Sequence, residues 1–154
     1  MSLNMLDMLT AIRVRLEASS SGFFRGNKVY VFQAPADVTP RVGQLPVVVV
    51  SGVSATQRDS FGTDALDLTF LVAIVDHKAN GEAPMFAAYT RVYGNAAPPN
   101  TAPTFGLHRH TPTMATGSNQ PGNIVWEQAD TLFDDTDPNA IGWVLRFSVS
   151  HQEA

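Results

Sequence analysis

The chain contains no cysteine in its 154 residues. Disulfide staples, thiolate nucleophiles and cysteine-based zinc sites are therefore excluded, and the usage suits a reducing compartment. Charge is scarce as well: Asp, Glu, Lys and Arg make up 16% of the residues, against about 25% in an ordinary globular chain. Either the surface is built from uncharged polar residues, or part of it is covered by partners. The net charge is −4, and the basic residues are scattered, with Arg13 and Arg15 the nearest pair. No basic stripe is present to displace counterions from a phosphate backbone, which argues against specific nucleic-acid binding. No apolar run approaches the ~20 residues that span a bilayer, and the N-terminus lacks the charged-then-apolar pattern of a signal peptide. The expectation is a cytoplasm-like compartment with no membrane partner. A Gly-x-Ser-x-Gly elbow, a Walker loop and a Gly-x-Gly-x-x-Gly fingerprint are all missing. The chain reads as a non-enzyme that uses no cofactor.

What is present is enough apolar residue, 44%, to give a chain of this length a core of its own. Met5, Leu9, Ile12 and Leu16, widened by Met8, recur at helical spacing and predict a helix over Leu3 to Ala18. Arg13, Arg15 and Glu17 fall away from that stripe. Lys28 to Gln33 reads as a short strand, and Ala34 to Gln44, with two prolines and a glycine, as a connector. Leu45 to Val53 is a second strand whose run Val47 to Val50 suggests burial on both faces. Ser54 to Thr63 reads as a polar turn. Asp64 to Asp76 is the longest predicted strand, with Leu66, Leu68, Phe70, Val72 and Ile74 on one face and Leu71, Ala73 and Val75 on the other. With the strand before it, it forms a long hairpin. After a loop over His77 to Ala83, Pro84 to Tyr93 reads as a second helix with Phe86, Tyr89, Val92 and Tyr93 on its apolar face, closed by Gly94.

Residues 95–123 hold five prolines and three glycines without clear periodicity. A loop of that length in a compact domain is usually functional; Leu107 to Thr111 could form a short strand inside it. Ile124 to Phe133 and Ile141 to His151 complete the strands, with Trp143, Leu145, Phe147 and Val149 on one face of the last, and Asp134 to Asn139 forms the turn between them. The pattern predicts an α+β fold: a mostly antiparallel sheet with a long hairpin, flanked by an N-terminal helix and a second helix. No repeat or boundary divides it, so 1–154 reads as a single domain.

Chemistry-bearing residues are few. His108 and His110 would share one side of a strand and could offer two ligands to a metal, but no third ligand has a recognisable spacing and Arg109 stands between them. His77 and His151 end strands. The run Asp134-Asp135-Thr136-Asp137 resembles a calcium loop only superficially. Counted from Asp135, its sixth and twelfth positions hold Ala140 and Arg146, where an EF-hand needs Gly and Glu. No metal is expected.

The element order, with Val29-Tyr30 in the first strand, the Leu-Pro-Val-Val-Val-Val opening at Leu45 to Val50, the alternation Leu66 to Ile74 and the closing strand Trp143 to His151, resembles the tail terminator family of tailed bacteriophages and related minor tail and neck proteins. The resemblance covers most of the chain outside residues 95–123. It implies a hexameric ring that caps the head-proximal end of the tail tube, stops tube polymerisation and joins tail to neck. Homo-oligomeric contacts, a tail tube protein and a neck or connector protein are the implied partners. The implied location is the virion, after assembly in the host cytoplasm, with DNA passing through the ring. Another head–tail component, such as a head-completion or stopper protein, and a small metal-dependent hydrolase using His108 and His110 are the alternatives.

Two regions stand out as candidate contacts. One is the Ser54–Thr63 turn with Arg58, Asp59 and Phe61, where Phe61 is apolar in a polar tip. The other is the long loop with Phe105, His108 and Arg109. The acidic turn Asp134, Asp135 and Asp137 would suit a ring lumen, where negative charge repels passing DNA. Replacing those three aspartates with asparagine is expected to leave ring formation intact and impair DNA delivery; normal infection by the triple variant would discard the lumen assignment.

Overall fold

The computed structural model describes residues 5–19, 29–31, 47–58, 64–95, 102–113, 122–132 and 140–153. Alternating side chains make Asp64–His77 (β3) the middle of a five-stranded sheet. Val47–Arg58 (β2) pairs antiparallel with it on one side and Ala140–Glu153 (β5) on the other. Val29–Val31 (β1) lies parallel to β2, and Ile124–Leu132 (β4) antiparallel to β5. The sheet order is β1-β2-β3-β5-β4, so β1 and β4 are its edges. With helices Met5–Ser19 (α1) and Ala83–Tyr93 (α2) the fold is α+β, as the sequence pattern predicts.

Both helices contribute to one core. Met8, Leu9, Ile12 and Leu16 of α1 and Met85, Ala88 and Val92 of α2 join Val48 and Val50 of β2, Leu68, Phe70, Val72 and Ile74 of β3, and Leu145, Phe147 and Val149 of β5. The register explains the match. Val48 faces Ile74, Val50 faces Val72, and Phe70 faces Phe147, so each apolar side chain meets another across the ladder. The Phe70 and Phe147 rings stack at 5.5 Å. On the opposite face Val49, Ala73 and Val75 are also buried, which accounts for the unbroken valine run in β2.

Several expectations need correction. Ser54 to Arg58 is not part of a turn. It continues β2, with Ser54 opposite Thr69 and Arg58 opposite Ala65, after an irregularity between Ser51 and Ser54. The polar composition is that of a turn, but ladder pairing with β3 satisfies the backbone and holds the segment extended. Leu107 to Thr111 forms no strand: Arg109 takes a positive φ of 66° and the His110 N–H donates to the Leu107 carbonyl at 3.0 Å, which closes a turn. The inner face of α2 is Met85, Ala88 and Val92, while Phe86 is 48% exposed. The aromatic residues of this helix lie along its flank, where Phe86 and Tyr89 meet Trp143. The connection after β3 contains a 3-10 turn at Lys78–Asn80, capped by His77, whose Nδ1 accepts from the Ala79 N–H at 3.0 Å.

The Phe70–Phe147 stack is fully buried in the core cluster to which both helices contribute. Phe147→Ala is expected to cost about 3–5 kcal/mol of unfolding free energy, whereas Phe86→Ala should cost about 1 kcal/mol or less. Urea denaturation of the two variants beside the parent measures the difference; comparable losses would contradict this placement of the core.

Candidate functional site

The part of the long loop that is described, residues 102–113, is strapped across the ends of α1 and α2 and along the start of β4. Three sets of contacts hold it. First, Arg15 of α1 reaches across, its Nε donating to the Gly106 carbonyl at 3.0 Å and its Nη2 to the Pro103 carbonyl at 2.9 Å. Second, the strap continues the end of α2, with the Leu107 N–H on the Val92 carbonyl and the His108 N–H on the Tyr93 carbonyl, each at 2.9 Å. These two bonds occupy carbonyls that a helix C-terminus leaves unpaired. Third, the strap pairs with the edge strand. Arg109 N–H donates to the Ile124 carbonyl at 2.6 Å, and Ile124 N–H to the His110 carbonyl at 2.8 Å.

Two glycines make the crossing of strap and helix end possible. Gly94 (φ 109°) and Gly106 (φ 84°) lie back to back, and a Cβ on Gly106 would collide with the Gly94 backbone. Asn95 closes the same junction: its Oδ1 accepts from the Thr104 N–H at 2.9 Å and its Nδ2 donates to the Thr104 hydroxyl at 2.7 Å. Leu107 is fully buried in the core beneath.

His108 has a defined structural task. Its Nδ1 accepts from the Trp126 N–H at 3.0 Å, beside an irregularity in β4 between Trp126 and Gln128. Its ring stacks on Tyr93 at 4.9 Å. The bond requires Nδ1 to carry a lone pair, and burial followed by the Arg109 charge lowers the His108 pKa in the same direction. His110 is held lower still, at about 4, by burial and then by the Arg15 guanidinium. Burial also lowers the Arg15 pKa, but arginine keeps its charge at any ordinary pH. The turn at Arg109 breaks the strand geometry in which the two histidines would have faced one side. Among the described residues no group of three or more His, Asp or Glu side chains comes together to hold a metal.

A row of aromatic rings runs along the flank of α2 to the strap. Phe86 lies 6.4 Å from Trp143, Trp143 lies 6.1 Å from Tyr89, Tyr89 stacks at 6.4 Å on Tyr93, and Tyr93 meets Trp126 edge-on at 5.8 Å. Burial, then Tyr93, raises the Tyr89 pKa, with the Trp126 indole opposing. That indole N–H is buried and makes no hydrogen bond of ordinary geometry among the described residues, although it lies close enough to the Tyr89 phenol to favour its ionised form. Phe105, half exposed, carries the Arg91 guanidinium 4.8 Å above its ring.

The predicted contact residues therefore separate. Phe105, His108 and Arg109 share the strap, His108 turned into hydrogen bonding and stacking while Phe105 and Arg109 remain partly exposed. Arg58 ends β2, opposite Ala65 of β3. Asp59, Phe61, Asp134, Asp135 and Asp137 lie outside the described residues. Arg15 was expected to fall away from the core stripe, yet it is the strap's anchor; its spacing from Met8 and Ile12 (i, i+4, i+7) places it at the stripe's border. Asp76 is a second residue that sequence reasoning passes over. It is fully buried, with Oδ1 accepting from the His77 N–H at 2.7 Å and from Asn80 Nδ2 at 2.9 Å. Its only sequence signal is an acid that continues the alternation of Phe70, Val72 and Ile74 onto the core face. Among the described residues, no helix is long and apolar enough to cross a membrane.

The two histidines give the strap a pH dependence. Their folded pKa values lie below the ordinary 6.5, so folding favours the neutral rings. The stability they contribute is complete above pH 6.5 and is lost as pH falls toward 4. His110→Gln is expected to lessen the fall in melting temperature between pH 7 and pH 4, measured by circular dichroism; parallel profiles for parent and variant would contradict the assignment.

No family model matches the chain, and no curated protein matches it in sequence. A chain from the virion of a native gene transfer agent (GTA) particle is similar in structure, with a TM-score of 0.66 over 96% of each chain and 13% sequence identity. At that identity the likeness is one of fold, and it extends over nearly the whole length of both proteins.

Proposed function

We propose that this chain is a structural protein of a virion, acting by assembly and not by catalysis, and that it forms a closed ring at the head-proximal end of a tail tube. One observation carries the reading: the fold corresponds over 96% of both chains to a chain of a virion. The element order that resembles tail terminators supports the finer role, in which the ring stops tube polymerisation and joins tail to neck. The sparse charge, 16% of residues, fits a surface partly covered by sister subunits and neighbours.

Within this reading the strap is a contact element. Its backbone is pinned to both helices and to β4, so Phe105 and Arg109 are presented from a preorganised segment, and docking costs little ordering entropy. Arg58, with Asp59 and Phe61 after it in sequence, is the second contact region. The histidines are structural: His108 has its Nδ1 committed to the Trp126 N–H, which removes it from the hydrolase reading unless the strap is rebuilt.

Mass measurement tests the proposal. Native mass spectrometry and light scattering are expected to find a species of six times the 16.6 kDa protomer mass, either in the purified protein or on addition of tail-tube ends. A chain that stays a protomer under both conditions would overturn the ring.

A further inference from the structure

Among the described residues, the edge strand β4 is covered along its first half and open along its second. An antiparallel strand points its backbone groups alternately toward its neighbour and away from it. The Ile124 N–H and C=O point away from β5, because the strap occupies both, and the Trp126 N–H points away as well, because His108 accepts from it. The register then shifts by one residue, from Trp126 opposite Phe147 to Gln128 opposite Arg146. Beyond the shift Gln128, Asp130 and Leu132 take the inward phase, and Ala129 and Thr131 point their N–H and C=O groups outward. Among the described residues nothing pairs with these outward groups. Asp130 and Thr131 are exposed, so the open stretch is accessible on its flanks too.

The other edge of the sheet is β1, and strand polarity relates the two. β1 is parallel to β2, while the β2–β3, β3–β5 and β5–β4 pairs are antiparallel. It follows that β3 and β4 run one way and β1, β2 and β5 the other. A rotation about an axis along the strands preserves their direction. A second copy placed beside the first by such a rotation brings its β1 against β4 in the antiparallel sense, the more stable pairing. The contact is head-to-tail, so it repeats and can close into a ring.

We propose that copies of this chain assemble by edge pairing, the open Ala129–Leu132 half of β4 in one copy forming an antiparallel ladder with Val29–Val31 of the next. The inference rests on the ring reading and assigns its joint. The strap's role in it is to fill the first half of the edge, which leaves one stretch for the neighbour. An unpaired edge is otherwise a site of indiscriminate association.

The absence of native cysteine allows a clean cross-linking test on the full chain. Asp130→Cys or Thr131→Cys is combined in one chain with Val29→Cys, Tyr30→Cys or Val31→Cys, oxidised under assembly conditions and run on non-reducing gels. At least one pair is expected to give a covalent ladder extending to the hexamer, and mixing the two corresponding single variants should give dimers only. Rings of hexameric mass in which no pair cross-links would overturn the joint while leaving the ring intact. Failure to form any ring would take down both. Cross-linking of Asp130→Cys or Thr131→Cys with itself would show a two-fold β4–β4 contact and overturn the head-to-tail joint. Thr131→Pro supplies a second measurement, since it deletes an outward N–H without touching the β4–β5 ladder. It should abolish ring formation with a melting temperature within about 3 °C of the parent; rings of normal mass would count against the joint.

Discussion

The constraint on which this structure depends is that β3 must be paired along both edges and buried in its middle. From Asp64 to His77 each residue has a partner in β5, and most have one in β2. That double pairing fixes which side chains face the helices. A slip of one residue would carry Leu68, Phe70, Val72 and Ile74 to the far face and bring Leu71, Ala73 and Val75 under α1 and α2. Both faces are apolar near Ala73, so hydrophobicity alone does not set the register. Shape does: Phe70 against Phe147 and Val72 against Leu145 fill the volume beneath two helices, which the smaller Ala73 could not.

The strap is a different kind of element. It has no ladder of its own and little regular structure, yet it is held by a cation on α1, two carbonyls of α2 and the edge of β4. Each anchor meets a need of the element it touches. The end of α2 gains donors for its free carbonyls, the irregular point in β4 gains an acceptor for an outward N–H, and Arg15 places its charge among carbonyl oxygens. A segment without secondary structure thereby closes three loose ends of the regular fold at once.

Much of this was legible in the sequence, and the reasons are physical. The stripe Met8, Leu9, Ile12 and Leu16 and the alternation from Leu68 to Ile74 are local periodicities, which a helix and a strand must show whatever surrounds them. Trp143, Leu145, Phe147 and Val149 were readable in the same way, although the first of them is only partly buried. What escaped was non-local. Ser54 to Arg58 looks like a turn because its polar residues carry no information about the strand that will pair with them. His108 and His110 suggested two ligands on one side of a strand, since nothing nearby announces that Arg109 adopts a positive φ. Arg15 reads only as falling away from the apolar stripe, because its acceptors lie 91 and 88 positions away. The candidate site suffered most from this. A contact surface is a property of what folding leaves uncovered, and the open half of β4 could be recognised only after the strap had been seen to cover the other half.

The back-to-back glycines at 94 and 106 carry a consequence of their own. They join the chain to itself at a single narrow neck, with Asn95 and Thr104 laced across it. Both ends of the intervening segment are thus fastened to one another, at Asn95 and Thr104. Closing a longer excursion would add only about 0.6 kcal/mol per doubling. A longer or shorter chain between Asn95 and Thr104 would therefore cost the fold little, because the junction that closes it does not depend on the length between.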